Sequence, residues 1–153
     1  MNYGIKDPRQ LEGIDRCLQE DLIGKGVKCS LLVDTAGNTI SKCAETSCDY
    51  DTYALAALAA GNFATVDSLA KIVGESEFSL LFHKGEKVSI HFNKVSEDII
   101  LINIFDNKIS LGLLRLKVKD VSRKIKLLCQ SATEGAEATT EVSDKSKEAV
   151  GGR

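Results

Sequence analysis

The stretch from Asp51 to Gly74 reads as a single helix that is apolar on two sides, and this limits what the rest of the chain can be. Its large residues, Leu55, Leu58, Phe63, Val66, Leu69 and Val73, recur mostly three or four apart and gather on one broad side at helical period. That side calls for a core. Nearly opposite lie Ala57, Ala60, Gly61, Ala64 and Ser68, a stripe of small residues with little side chain to hold another backbone away. A surface helix ordinarily turns a charged face to water, and one that is apolar all round is buried twice. In a chain of 153 residues, one of those burials is expected to be against another protein.

Composition sets the remaining bounds. With 43% hydrophobic and 27% charged residues, the chain has ordinary globular make-up and enough length for one domain with a real core. A formal net charge of -2 offers no bulk attraction to nucleic acid or anionic lipid. No apolar run approaches the ~20 residues of a membrane span, and Met1 to Pro8 lacks the basic and apolar segments of a secretory signal. A soluble, cytoplasmic protein is expected. Five scattered cysteines, Cys17, Cys29, Cys43, Cys48 and Cys129, do not suggest a disulfide framework, and no second pair follows Cys43 and Cys48 at zinc spacing. No metal or cofactor is assigned.

In chain order, Asp7 followed by Pro8 is a helix cap with proline at the first helical position. Leu11, Ile14, Leu18 and Leu22 mark the buried stripe of that first helix, which ends near Gly24. Cys29 to Asp34 and Thr39 to Ala44 read as a hairpin across Thr35, Ala36, Gly37 and Asn38. Asp49 or Asp51 caps the long helix. Three strand-like runs follow, Phe78 to His83, Lys87 to Asn93 and Ile99 to Phe105, the last apolar on both faces as a central strand should be. A three-residue loop at Lys84 to Glu86 would pair Phe82 with Val88, Leu80 with Ile90 and Phe78 with Phe92. Ser110 caps a last helix striped by Leu111, Leu114, Val118, Val121, Ile125 and Leu128. Its other face carries Arg115, Lys117, Lys119, Arg123, Lys124 and Lys126 and reads as solvated. The domain is set at residues 7–130, and 131–153 reads as a disordered polar tail. The fold class is α+β, helix-β-β-helix-β-β-β-helix, with an antiparallel sheet covered by helices on both faces.

Chemistry-bearing patterns are sparse. Asp34-Thr35-Ala36-Gly37 matches the Asp-x-x-Gly element of Ras-like GTPases, and Asn93-Lys94-Val95-Ser96 half-matches their guanine-reading segment. Nothing matches the glycine-rich loop that cradles phosphates, so a hairpin turn is the better reading of the first. His83 and His91 are kept apart in the chosen register, by ~13 Å along the strand, and lie on opposite faces in the alternative one. Glu97 and Asp98 read as turn residues. Asn62, within the large apolar face of the long helix, reads as a core asparagine bonded to backbone.

The hairpin Leu31 to Ile40, the alanine-rich Leu55 to Ala60 and the opening of the last helix, Ser110 to Arg115, together resemble the roadblock/dynein light chain domain family over roughly Arg9 to Cys129. The resemblance is to its bacterial MglB-type branch, partners and GTPase-activating proteins of a small Ras-like GTPase. It implies a five-stranded sheet in the order 2-1-5-4-3, the central helix on one face and the terminal helices on the other. It further implies a homodimer formed through the central helix and third strand, on which a GTPase sits. Carried onto this chain, the interface would use Ala57, Ala60, Gly61, Ala64 and Ser68 with Phe78, Leu80 and Phe82, and no residue would be catalytic. A structural or trafficking adaptor on the same fold is the alternative, and a small-molecule sensor or enzyme a third.

Overall fold

The computed structural model describes residues 5, 7–78 and 81–150, with backbone alone over 131–150. Its elements are α1 (Pro8–Asp21), β1 (Val27–Asp34), β2 (Thr39–Ala44), α2 (Thr52–Ile72), β3 (Leu81–Lys84), β4 (Val88–Ser96), β5 (Ile99–Asp106) and α3 (Leu111–Val150). The strands form one antiparallel sheet in the order β2-β1-β5-β4-β3. Among the described residues, no helix is long and apolar enough to cross a membrane.

Local chemistry sets the helix starts. Asp7 accepts the Arg9 amide at 2.9 Å while its own amide donates to Gln10 Oε1 at 3.1 Å, so two otherwise orphaned donors are satisfied reciprocally. Asp51 accepts the Ala54 amide at 3.0 Å, and the Ser110 hydroxyl accepts that of Leu113 at 3.2 Å. Gln10, buried in α1, reaches across to donate to the Leu128 carbonyl at 2.6 Å and ties α1 to α3. Asp34, buried at the end of β1, takes the amides of Ala36 and Asn38 on Oδ1 and the Asn38 side chain on Oδ2. It organises the hairpin turn, as expected of a turn aspartate.

The sheet divides the interior into two cores of unequal depth. On one side Ile14, Leu18 and Leu22 of α1 and its end, with Leu114, Val118, Val121 and Ile125 of α3, pack on Val27, Leu32, Leu101 and Phe105. Each such fully buried branched side chain contributes about 1.5–3 kcal/mol. On the other side the sheet offers Leu31, Val33, Phe92, Ile100, Ile102 and Ile104, and α2 answers chiefly with Ala56 and Ala59, flanked by half-buried Leu55 and Phe63. Because the sheet side chains are bulky, α2 meets them with its small residues and lies close.

Three expectations are corrected by this arrangement. Leu58 and Leu69, expected in the core, are 73% and 51% exposed, while Ala60 from the small stripe is buried. The third strand begins at Leu81 rather than Phe78, and its register differs from the expected one. Leu81 pairs with Phe92, Phe82 with His91, His83 with Ile90 and Lys84 with Ser89. The shift of three places Leu81 in the α2-side core and sends Phe82 through to the other side, where its ring stacks on Phe105 at 6.0 Å. An edge strand with apolar residues on both faces has no alternation from which its register can be read. His83 and His91 consequently lie on opposite faces.

Candidate functional site

Helix α2 has two seams that run along opposite sides with the same spacing. Thr52, Ala56, Ala59, Phe63, Val66 and Ala70, alternately four and three apart, turn toward the sheet and are buried or half-buried. Ala54, Leu58, Gly61, Thr65, Ser68 and Ile72 repeat that spacing on the far side, and all are exposed. This second seam is widest at Leu58 and Ile72, which is 80% exposed, and has no side chain at its middle, where a Cβ on Gly61 would meet nothing within 4 Å. Tyr53, Leu69 and Val73 add exposed apolar surface along its flanks.

The polar atoms on this face are already satisfied. Thr65 Oγ1 donates to the Gly61 carbonyl at 2.9 Å and Ser68 Oγ to that of Ala64 at 3.0 Å, so both hydroxyls turn back onto their own helix. No charged residue occurs between Asp51 and Asp67. Asp67 and Lys71 form a pair at 2.8 Å on the flank, and the hydrogen bond from Lys71 holds the Asp67 carboxyl below its ordinary pKa. The outer face of α2 is thus a contiguous apolar surface of the sort monomeric proteins seldom leave bare.

Of the residues expected at an interface, Ala57, Gly61, Ala64 and Ser68 share this exposed face. Ala60 turns inward, and Phe82 lies half-buried on the α3 side of the sheet. Phe78 is 46% exposed and lines a groove with Phe63, Val66 and Leu81, next to the open edge of β3. Leu80 lies outside the described residues. Residue size alone places Leu58 and Leu69 in the core and passes over Ile72, whereas all three belong to the outer face. The two interleaved seams were the available signal.

Asn62 is half-buried and makes a side-chain bond, not a backbone one: its amide lies 3.0 Å from His83 Nε2. The His83 ring also stands edge-on to Phe92 at 5.7 Å, so α2 and β3 are braced together. Among the described residues no group of three or more His, Cys, Asp or Glu side chains is placed to hold a metal ion. The five cysteines are free and buried or half-buried, and burial raises the thiol of Cys29 to about 11.

The Roadblock/LC7 domain model matches residues 18–105, which take in the end of α1, all of α2 and the sheet up to the last residue of β5. The chain belongs to the Roadblock/LC7 domain family. Among solved structures it is similar to MglB of Myxococcus xanthus, at 36% identity and a TM-score of 0.73 over 84% of this chain and 96% of that one. The gliding protein MglB of Thermus thermophilus aligns at 27% identity and a TM-score of 0.67, over 80% and 90% of the two chains. An MglB described as having a tetrameric arrangement aligns at 26% identity and a TM-score of 0.68, over 81% and 90%. No curated protein matches the sequence.

Proposed function

We propose that this roadblock protein is a non-catalytic, cytoplasmic homodimer that binds and regulates a small Ras-like GTPase, acting as its GTPase-activating partner. The observation that carries the reading is the outer face of α2, apolar, uncharged and hollow at Gly61. Two copies related by a two-fold axis would cross there, Gly61 near the crossing and Leu58 and Ile72 of each filling the flanks of the other. The open edge of β3, next to Phe78, would continue the contact. Similarity to the MglB structures supports the GTPase reading, since the MglB-type branch that the sequence resembles is one of GTPase partners. The folded unit is residues 7–130, with 131–153 as a polar extension.

Association is tested by pulling down candidate small GTPases from the source cell with this protein as bait, with and without a GTP analogue. A GTPase retained only in its GTP-bound form, and whose hydrolysis then accelerates, is the expected result. Retention with unchanged hydrolysis would favour the adaptor reading, and no GTPase retained would contradict the proposal. The protein alone should show no tight GTP binding, because its sequence has no glycine-rich phosphate loop.

A further inference from the structure

The polar residues that cross the sheet beneath α3 point to a second site, separate from the face of α2. Ser30, Asn103 and His91 lie side by side on β1, β5 and β4, paired in register, and are 0%, 0% and 4% exposed. Ser30 Oγ donates to Asn103 Oδ1 at 2.8 Å. The Asn103 Nδ2 and His91 Nδ1 atoms are buried, and neither has a hydrogen-bond partner. One is a donor and the other an acceptor in the Nε2–H tautomer, and the two residues are direct neighbours across the strands. Both atoms stay unsatisfied in this polar layer, whose outermost member, His91, opens toward α3.

His91 lines an open-sided cavity of about 330 Å³ between β4 and α3, and Arg115, Leu116, Lys119, Asn93 and Gly112 complete its wall. Gly112 stands in the first turn of α3, where the Ser110 hydroxyl takes the Leu113 amide and the Ser110 carbonyl that of Leu114. A Cβ there would meet nothing within 4 Å, so the wall is open beside Gly112. Neither Arg115 nor Lys119 pairs with a carboxylate among the described residues, although nearby Arg123 is held by Asp120 at 2.7 Å. Burial first, and the Arg115 charge second, lower His91 to about 4, so at neutral pH its ring is uncharged.

We propose that this cavity binds a phosphate group, held by Arg115 and Lys119 and hydrogen-bonded by the His91 ring. The donor set on its wall suits a tetrahedral dianion: a forked guanidinium, an ammonium and a neutral imidazole. A carboxylate could use only part of it. The volume admits a small phosphorylated molecule as readily as free phosphate, and the site neither needs nor excludes the α2 interface.

Inorganic phosphate is the probe, titrated into the full chain at constant ionic strength and pH 7, with ¹⁵N shifts of the His91 ring and calorimetry as readouts. Acetate and chloride serve as comparison anions. The expected result is a saturable shift at His91 with phosphate, at least tenfold weaker in Arg115→Gln and changed less than twofold in Lys117→Gln, which removes the same charge away from the cavity. Gly112→Asp separates binding from folding. A carboxylate in the first turn of a helix is stabilising, so its Tm should hold or rise while phosphate binding is lost. No saturable shift, equal weakening by Lys117→Gln, or acetate binding as tightly as phosphate would each overturn the proposal.

Discussion

Gly37 lies so close to Ala57 that a Cβ on the glycine would stand 3.0 Å from the Ala57 Cα. The β1–β2 turn therefore bears on the backbone of α2 and, with the alanines facing the sheet, fixes how near the helix sits and which seam is left outward. Gly37 has φ +89, a conformation that L side chains rarely adopt. The turn thus depends on glycine for its backbone angle and for its clearance.

Gly37→Ala should lower stability by about 2–3 kcal/mol, combining left-handed backbone strain with a contact that the α2 backbone cannot relieve. Denaturant unfolding of a dimer-deficient background checks this without interference from association. Gly24→Ala makes a comparison, since it has a similar φ of 78 but open space around its Cβ. It should cost measurably less.

Much of this architecture was legible in the sequence, and the exceptions share a physical cause. The caps at Asp7, Asp51 and Ser110, the stripe from Leu111 to Leu128 and the doubly buried β5 were readable because local hydrogen bonding and one-sided periodicity determine them. The inward face of α2 was legible only in part: Leu55, Phe63 and Val66 turn inward as expected, while Leu58, Leu69 and Val73 do not. Its choice of Ala56, Ala59 and Ala60 over Leu58 and Leu69 depends on the bulk of Leu31, Ile102 and Phe92 opposite, which lie far away in sequence. The β3 register was hidden for a related reason: Leu81 and Phe82 serve different cores. At the candidate site, Ala57, Gly61, Ala64 and Ser68 stand out in the sequence as a stripe of small residues, and the structure leaves them exposed. The apolar flanks were lost because exposed leucines look like core leucines until a neighbouring element excludes them.

His91 predicts a pH dependence of stability. Its ring is faced by Asn103 and Ser30 across the sheet, Phe82 on β3, and Arg115 and Lys119 on α3. With a folded value of about 4 against an ordinary 6.5, the unfolded chain binds a proton between those limits that the folded chain refuses. The contribution is therefore complete above pH 6.5 and is lost as pH falls toward 4. It amounts to about 2 kcal/mol after allowing for partial solvation. The difference in unfolding free energy between the wild type and His91→Gln should follow that curve, and a difference independent of pH over this range would contradict a buried neutral histidine.

The polar extension supplies a third expectation. Cys129 is the last residue of α3 that packs on the core among those described, and residues 131–153 offer only Val142 and Val150 as large apolar side chains. Ending the chain after Gln130 should shift Tm by no more than about 2 °C, equivalent to a few tenths of a kcal/mol. Thermal scans of the two lengths at equal concentration are the measurement, and a large loss would mean that the extension docks on the domain.

Pairing through the outer face of α2 is tested most directly by the particle mass of Gly61→Arg. Arginine at this exposed position has room on the monomer and a better helix propensity than glycine by up to about 1 kcal/mol, so monomer folding should not suffer. The same side chain at the crossing of two helices would hold them apart and bury an unpaired charge. Light scattering at tens of micromolar should give twice the 16.5 kDa chain mass for the wild type and the single chain mass for Gly61→Arg, with the same helical circular dichroism. A monomeric wild type, or a Gly61→Arg protein that remains a dimer, would contradict the account.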